Sequence, residues 1–283
     1  GGGADIVSRL VQPHMQALLG QSVIVENRAG AAGRIGTGIV AKSEPDGHTL
    51  LVSTESSLVI APHIGQAIGY DPLKDFAPVS NIGYQDMIIV GRLDLPYSNA
   101  KDMVAYAKAN PGKINRGSPG AGTATNLAPL LFERVAGFTT THVPFNGDSP
   151  ALQALLSGNI DIHGTTITSA LPFVQSGKLR VLGTYGAKRL PQAPNAPTLK
   201  ESGYDVVADA WFMLVAPAGT PREAIDRLNK AVNQALAREE FVAKARTMGV
   251  EPRGGSPEDA RKYLRAEYDR WVPLLKTLDL PKN

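Results

Sequence analysis

The 283-residue chain contains no cysteine, which excludes disulfides, thiolate metal ligands and cysteine nucleophiles. It also lacks an apolar run near the ~18 residues that a membrane span requires. Its apolar runs, such as Trp211–Ala216, have the length of a strand. Charge of one sign is not clustered: the net charge is +3, and basic residues alternate with acids, as in Arg238–Glu239–Glu240. Because a nucleic-acid footprint is a clustered basic patch, we expect no nucleic-acid partner.

The start of the chain lacks the charged, apolar and small-residue succession of a signal peptide. It opens instead on Gly1–Gly2–Gly3, which has the composition of a loop. Since a domain seldom begins in a turn, we expect residues upstream of Gly1.

The motifs of the common enzyme classes are absent. The sequence contains no G-x-S-x-G, H-E-x-x-H or G-x-x-x-x-G-K-[ST] motif. Its five histidines show no ligand spacing; His142 and His163 lie in predicted strands, where they are either structural or a metal or catalytic pair. Asp148 and Asp161 have no evident partner along the chain. We therefore predict no catalytic residue, no metal site and no cofactor.

Short β-branched runs alternate with amphipathic stretches, which is typical of an α/β fold with mostly parallel sheets. In the first part of the chain the pattern predicts a helix over Ile6–Leu19 and strands over Ser22–Glu26, Thr49–Thr54 and Tyr84–Arg92. From Ser98 the alternation begins again with a helix that ends near Asn110. Four predicted strands with intervening helices follow at Lys113–Arg116, Thr141–Phe145, Asn159–His163 and Leu179–Thr184.

The last part of the chain holds one apolar strand, Trp211–Ala216, followed by helices. Thr220–Glu223 reads as a capping box with proline at the first helical position, and Ser256–Pro257 begins a second terminal helix. The first of these helices has a predicted buried stripe of Ile225, Leu228, Val232 and Leu236. Because no strand follows the helices, we expect them to pack on the first lobe. Lobe 1 then comprises residues 1–95 and 213–283, and lobe 2 comprises residues 96–212.

Three glycine-rich segments precede helices: Gly1–Asp5, Gly30–Gly36 and Gly117–Thr123. A helix N-terminus presents unpaired N–H groups and the positive end of the helix dipole, which favour an anion. The alternative is that each glycine serves only a tight turn or close helix packing. The third segment is the most informative, since it follows a strand, precedes the predicted helix Ala124–Val135 and adds the hydroxyls of Ser118 and Thr123.

Several sequence blocks, in order along the whole chain, resemble the solute-binding proteins of tripartite tricarboxylate transporters, the Bug or TctC proteins. The blocks are Gly1–Asp5, Val25–Gly33, Pro45–Leu51, Ala109–Lys113, His142–Phe145, Ser176–Arg180 and Trp211–Pro221. The resemblance implies a type II periplasmic binding fold, with two α/β lobes, two hinge crossings and a ligand in the cleft between the lobes. The family normally has a strand before its first glycine loop, and this chain lacks it.

The resemblance also implies ligand-binding positions. The loops that hold a ligand carboxylate in the family correspond to Gly2, Gly3, Ala4 and Asp5 and to Ser118, Gly120 and Thr123. Loops at the other strand ends, which shape the side that differs between ligands, correspond to Ser53, Thr54, Glu55, Phe145, Asn146, Thr165 and Thr166.

Two departures from the family bear on the ligand. Many relatives carry an acid after the strand that contains Asp161, where this chain reads Gly164–Thr165–Thr166, and Asn146 stands where lysine is frequent. An acid could pair with a ligand amine, so its absence favours a plain mono- or dicarboxylate, aromatic ones included. Trp211 either stacks on the ligand or packs in the hinge, and the second role is the commoner one for tryptophan.

The resemblance therefore predicts an extracytoplasmic solute-binding protein that closes on a small carboxylate and delivers it to the permease subunits of a transporter. We expect a monomer in the periplasm, exported by a signal peptide that the given chain does not include. Two alternatives are an orphan or sensor-linked binding protein, and a nucleotide-dependent oxidoreductase that uses the Gly30–Gly36 loop.

Overall fold

The computed structural model describes residues 2–64, 68–120 and 122–277 and confirms the α/β class. Gly1, a predicted loop residue, lies outside the described residues. The strands are β1 (Leu51–Ser53), β2 (Phe76–Gly91), β3 (Asn115–Ser118), β4 (Thr141–Pro144), β5 (Ile162–Thr166), β6 (Arg180–Thr184), β7 (Asp209–Pro217) and β8 (Val250–Pro252). The α-helices are α1 (Gly3–Leu19), α2 (Arg34–Ala41), α3 (Ala100–Ala109), α4 (Ala124–Ala136), α5 (Asp148–Leu156), α6 (Ile167–Gln175), α7 (Arg222–Leu236), α8 (Glu239–Thr247) and α9 (Pro257–Thr277). Among the described residues, no helix is both long and apolar enough to cross a membrane.

The chain forms two compact units. The middle unit comprises residues 85–210 with 1–3 and 247–249, and the flanking unit comprises residues 4–84, 211–246 and 250–283. Strands β2 and β7 each run from one unit into the other, at residues 84/85 and 210/211. The predicted lobe boundaries at 95/96 and 212/213 stay predictions.

The middle unit contains a mixed sheet. β3 pairs in parallel with β4 and with β5, whereas the second half of β2 pairs antiparallel with β5 and with β6. In this sheet β3, β4, β5 and β6 thus run in one direction, as expected of a mostly parallel sheet, and β2, which enters from the flanking unit, runs against β5 and β6. Helices α5 and α6 cover an apolar core that includes Leu155, Ile160 and Ile167. The carboxyl ends of the three parallel strands meet at one edge of the sheet, where loops that bind ligands are commonly found.

In the flanking unit, β1 pairs antiparallel with β7, and β2 neighbours both β7 and β8. The predicted strand Ser22–Glu26 is wrong: the segment has no assigned secondary structure, and 79% of Ile24 is exposed. A strand is defined by its ladder, and this segment pairs with no strand among the described residues. It is held instead by Gln12 of α1, whose side-chain amide donates to the carbonyl of Val23 at 2.7 Å.

The starts of the two long terminal helices differ. The predicted capping box at Thr220–Glu223 is wrong, because α7 begins at Arg222 without a side-chain cap and the Thr220 hydroxyl donates to the carbonyl of Pro217 at 2.8 Å. The stripe Ile225, Leu228, Val232 and Leu236 is buried as predicted. At α9, Ser256 and Asp259 form the reciprocal box: the Asp259 N–H donates to the Ser256 hydroxyl at 3.1 Å, and the Ser256 N–H donates to the Asp259 carboxylate at 2.9 Å.

Candidate functional site

The loop between β3 and α4 has the predicted arrangement of strand, glycine turn and helix. β3 ends at Ser118, α4 begins at Ala124, and Ala121 lies outside the described residues. Gly120 has a φ of +138°, a region that only glycine adopts without strain, so the turn depends on glycine at this position. The loop directs the chain into the N-terminus of a 13-residue helix, where a carboxylate is electrostatically favoured.

The two predicted hydroxyl donors of this loop make hydrogen bonds within it. Ser118 is fully buried; its hydroxyl lies 2.6 Å from Nε2 of His142 and accepts the Gly120 N–H at 3.2 Å. The Thr123 hydroxyl donates to the Gly120 carbonyl at 2.8 Å. Both side chains therefore shape the loop, and their predicted contact with a ligand stays a prediction.

His142 is a neutral partner for Ser118. Burial and the neighbouring Arg116 guanidinium lower its pKa to about 4. The described residues place no carboxylate on its second ring nitrogen, and Ser118 is closed off from solvent. A serine–histidine pair of this kind lacks the basicity and the access that a nucleophile at neutral pH requires.

The second buried histidine, His163, is paired with an acid. Its Nε2 lies 2.8 Å from the carboxylate of Asp148, and its Nδ1 lies 3.0 Å from the carbonyl of Gly117. The Thr165 hydroxyl donates to the same carboxylate at 2.9 Å. Asp161 has a partner as well, since its carboxylate accepts a hydrogen bond from Arg92 at 2.8 Å. The expectation that Asp148 and Asp161 are unpaired is therefore wrong, because the fold brings residues that are distant in the chain together.

The remaining predicted residues of the middle unit differ in their burial and their contacts. Thr166 is buried and its hydroxyl donates to Ser169 at 3.2 Å, while the Phe145 N–H donates to the Ser118 carbonyl at 2.9 Å. Asn146 is exposed. Gly2 lies so close to Asp148 that a Cβ atom on this glycine would contact Cβ of Asp148 at 3.6 Å. Gly3 is the first residue of α1.

In the flanking unit, Ala4, Asp5, Ser53 and Thr54 line a groove with a volume of about 750 Å³ between α1, α2, β1 and residues 23–28. The Asp5 carboxylate accepts hydrogen bonds from Arg9 and Asn27, each at 2.8 Å. Its walls carry two acids, Asp5 and Glu26, one base, Arg28, and apolar residues such as Val11. The groove therefore carries charges of both signs, and its Asp5 carboxylate is already bound by Arg9 and Asn27.

Ser53 and Glu55 are buried and make contacts within this unit. The hydroxyl of Ser53 lies 2.7 Å from that of Ser57, and the Glu55 carboxylate accepts the backbone N–H of Trp211 at 3.1 Å. Trp211 is 2% exposed, and its indole N–H donates to Glu267. Of the two roles considered for Trp211, the structure supports packing.

The sequence analysis named His142, Asp148 and His163 but did not predict that they lie next to the β3–α4 loop. No local spacing marks them, because each contact joins residues far apart in the chain, such as Asp148 and His163. Among the described residues, no group of three or more potential ligands could hold a metal ion.

Known proteins resemble this chain over nearly its whole length. The model of the tripartite tricarboxylate transporter family receptor, TctC, matches residues 7–280. A UPF0065 protein in the tcbD–tcbE intergenic region of Pseudomonas sp. strain P51 is 33% identical, covering 100% of this chain and 84% of the relative. Protein BugT of Bordetella pertussis is 33% identical, covering 98% of this chain and 85% of BugT.

Solved structures have the same fold. A structure described as that of a periplasmic transporter superposes with a TM-score of 0.96 and 32% identity, covering 100% of this chain and 95% of the other. The structure of R. palustris Rpa4515 with adipate has a TM-score of 0.94 and 32% identity, and the match covers 98% of this chain and 93% of the other. The structure of MatC from Rhodopseudomonas palustris with bound malate has a TM-score of 0.91 and 30% identity, and the match covers 97% of this chain and 95% of the other. The predicted two-lobed periplasmic binding fold is thereby confirmed.

Proposed function

Because this chain belongs to the tripartite tricarboxylate transporter receptor family, we propose that it captures a small organic carboxylate in the periplasm and delivers it to the membrane subunits of a transporter. The ligand is released unchanged, and the energy of transport comes from the partner. Hinge closure around the ligand, which the family resemblance implies, stays a prediction.

The observation that carries the proposal is the β3–α4 loop. Its glycine turn, fixed by the Ser118 and Thr123 hydroxyls, leads into the N-terminus of α4, where neutral dipoles stabilise a carboxylate. The similar structures with adipate and malate support a carboxylate as the class of ligand. An affinity near 1 μM corresponds to about −8 kcal/mol, which several amide contacts and some apolar burial supply.

A nucleotide-dependent oxidoreductase is the weaker alternative. In the Gly30–Gly36 segment, Ala31–Gly33 forms a single turn of 3-10 helix, with Ala31 and Ala32 at positive φ, before the short α2. α2 has eight residues and follows no paired strand, whereas a dinucleotide site requires a strand, a glycine turn and a helix in succession. A sensor-linked binding protein would share the same binding chemistry and differ only in its partner.

Isothermal titration with adipate and malate tests the proposal. We expect micromolar binding by the wild-type protein, and Ser118→Ala and Thr123→Ala are each expected to weaken it by roughly 1–3 kcal/mol, the scale of hydrogen bonds that involve a charged group. Ser157→Ala and Thr141→Ala are matched controls, since these exposed hydroxyls bond to the carbonyls of Gln153 and Gly112 away from the loop. Unchanged affinity in both loop variants would remove the loop from the site.

A further inference from the structure

The ring of His163 is enclosed by hydrogen-bond acceptors. The side chain is fully buried, with the Asp148 carboxylate at one ring nitrogen and the Gly117 carbonyl at the other. A neutral imidazole carries one proton and can satisfy only one acceptor. Because a carbonyl cannot donate, Nδ1 must carry a proton to bind Gly117.

The ionisation state of Asp148 decides whether the second ring nitrogen of His163, Nε2, carries a proton. Burial acts to raise the pKa of Asp148, but hydrogen bonds from His163, Ser169 and Thr165 hold this pKa below its ordinary value. The carboxylate is therefore ionised at neutral pH and accepts a proton from Nε2. With both nitrogens donating, His163 is an imidazolium, and the two side chains form a buried ion pair.

This ion pair lies among the residues predicted to surround the ligand in the middle unit. Thr165 binds Asp148 directly, Gly2 lies against its Cβ atom, and Gly117 is the residue before Ser118. The sequence argument for a ligand without an amino group rested on the absence of an acid at this strand end. In the structure an acid at this strand end comes from α5, as Asp148, and its charge is neutralised by His163 of β5.

The geometry points to His163 as a specificity-determining residue of the proposed carboxylate site, and this inference rests on the proposed function. As a buried imidazolium it cancels the charge of Asp148, so that the acid neither attracts a ligand ammonium group nor repels a ligand carboxylate. The site then prefers carboxylates without an amino group over their amino-acid counterparts.

The elements packed around the pair contain few other charges. Arg116 of β3 is bound by Glu133 at 2.9 Å and by Asn126 at 2.8 Å, His142 of β4 is bound to Ser118, and α6 contributes only the hydroxyl of Ser169. A Cβ atom on Gly117 would approach Nδ1 of His163 to 3.3 Å. The ring is thus fixed by packing as well as by its two hydrogen bonds.

Matched acids that differ by one amino group test the inference: succinate with aspartate, and adipate with 2-aminoadipate. By isothermal titration we expect the wild type to prefer the amino-free member of a pair by about tenfold or more, since burying a ligand ammonium group without a counter-ion costs at least this much. In His163→Gln the free Asp148 charge reverses or removes the preference, and in the double variant His163→Gln with Asp148→Asn the preference returns. His63→Gln in the flanking unit, whose ring lies 2.9 Å from the Val59 carbonyl, is the control and leaves the preference unchanged.

Nitrogen NMR of histidine-labelled protein without ligand reads the charge state directly. We expect both ring nitrogens of His163 to carry protons in the wild type, and one to be free in Asp148→Asn, which also serves if His163→Gln does not fold. A neutral ring in the wild type would overturn the inference. A doubly protonated ring without preference in either pair would overturn the specificity role alone, whereas failure of every carboxylate to bind would overturn the proposed function with it.

Discussion

The indole N–H of Trp211 in β7 donates to the carboxylate of Glu267 in α9 at 2.9 Å. The indole N–H of Trp271, one turn further along α9, donates to the same oxygen at 3.2 Å. Glu267 is 5% exposed, so its carboxylate joins the last helix to the strand inside the flanking unit. Two buried indole donors depend on this single acceptor.

We predict that Glu267→Ala lowers the free energy of unfolding by about 2–4 kcal/mol, because it leaves two buried N–H groups without an acceptor. Urea unfolding followed by tryptophan fluorescence measures the change. Glu258→Ala, an exposed acid in the first turn of the same helix, is the control and is expected to cost less than about 1 kcal/mol. Equal effects of the two substitutions would contradict a structural role for the shared acceptor.

A second prediction concerns Asp86 on β2. Burial and the charge of Asp209 raise its pKa to about 6 from an ordinary value of 3.8. The folded state therefore holds the proton more tightly than the unfolded state, so this group favours folding below about pH 4, and its contribution is lost as the pH rises through about 6. We expect Asp86→Asn to stabilise the protein at neutral pH by roughly 1–2 kcal/mol after solvent screening, and to have little effect near pH 4.

Thermal unfolding of Asp86→Asn between about pH 4 and pH 8 checks this prediction. Asp94→Asn is the matched control, since the Asp94 side chain is 69% exposed and pairs with Arg92 at 3.0 Å. A stability difference that does not change with pH would contradict the assigned cause.

A third prediction follows from the capping box of α9. Ser256→Ala removes the acceptor of the Asp259 N–H and is expected to cost about 0.5–2 kcal/mol. The pKa of Asp259 is held below its ordinary value by hydrogen bonds from Ser256, so part of the cost should vanish as the pH falls and Asp259 is protonated. Chemical denaturation at neutral and at acidic pH measures both effects, and a cost independent of pH would contradict this coupling.

The helices were predictable because their signals are local. The periodic apolar positions of α7 are buried, and α4 begins at Ala124 after its glycine turn, as expected. A capping box was predicted only at Thr220, yet Ser256, predicted as the start of the last helix, is the residue that acts as a cap. At Thr220 the hydroxyl binds the carbonyl of Pro217 instead, a competition that the sequence pattern does not reveal.

The candidate site was predictable only in part. The β3–α4 loop was found because strand, glycines and helix are consecutive in the chain. The pair of Asp148 and His163 was missed, since their contact depends on the register of β5 beside β3, and no local spacing encodes that register. The segment over residues 22–26 has the composition of a strand, but a strand also requires a neighbour, which is a property of the fold.

The most direct test of carboxylate capture is a thermal-shift screen of the purified protein against mono- and dicarboxylates, amino acids and nucleotides. A ligand at about 100 times its Kd stabilises the folded state by ~2.7 kcal/mol, which raises the Tm by several degrees. We predict that plain carboxylates, adipate and malate among them, raise the Tm and that nucleotides do not. Stabilisation by a nucleotide, with no response to any carboxylate, would contradict the proposed function.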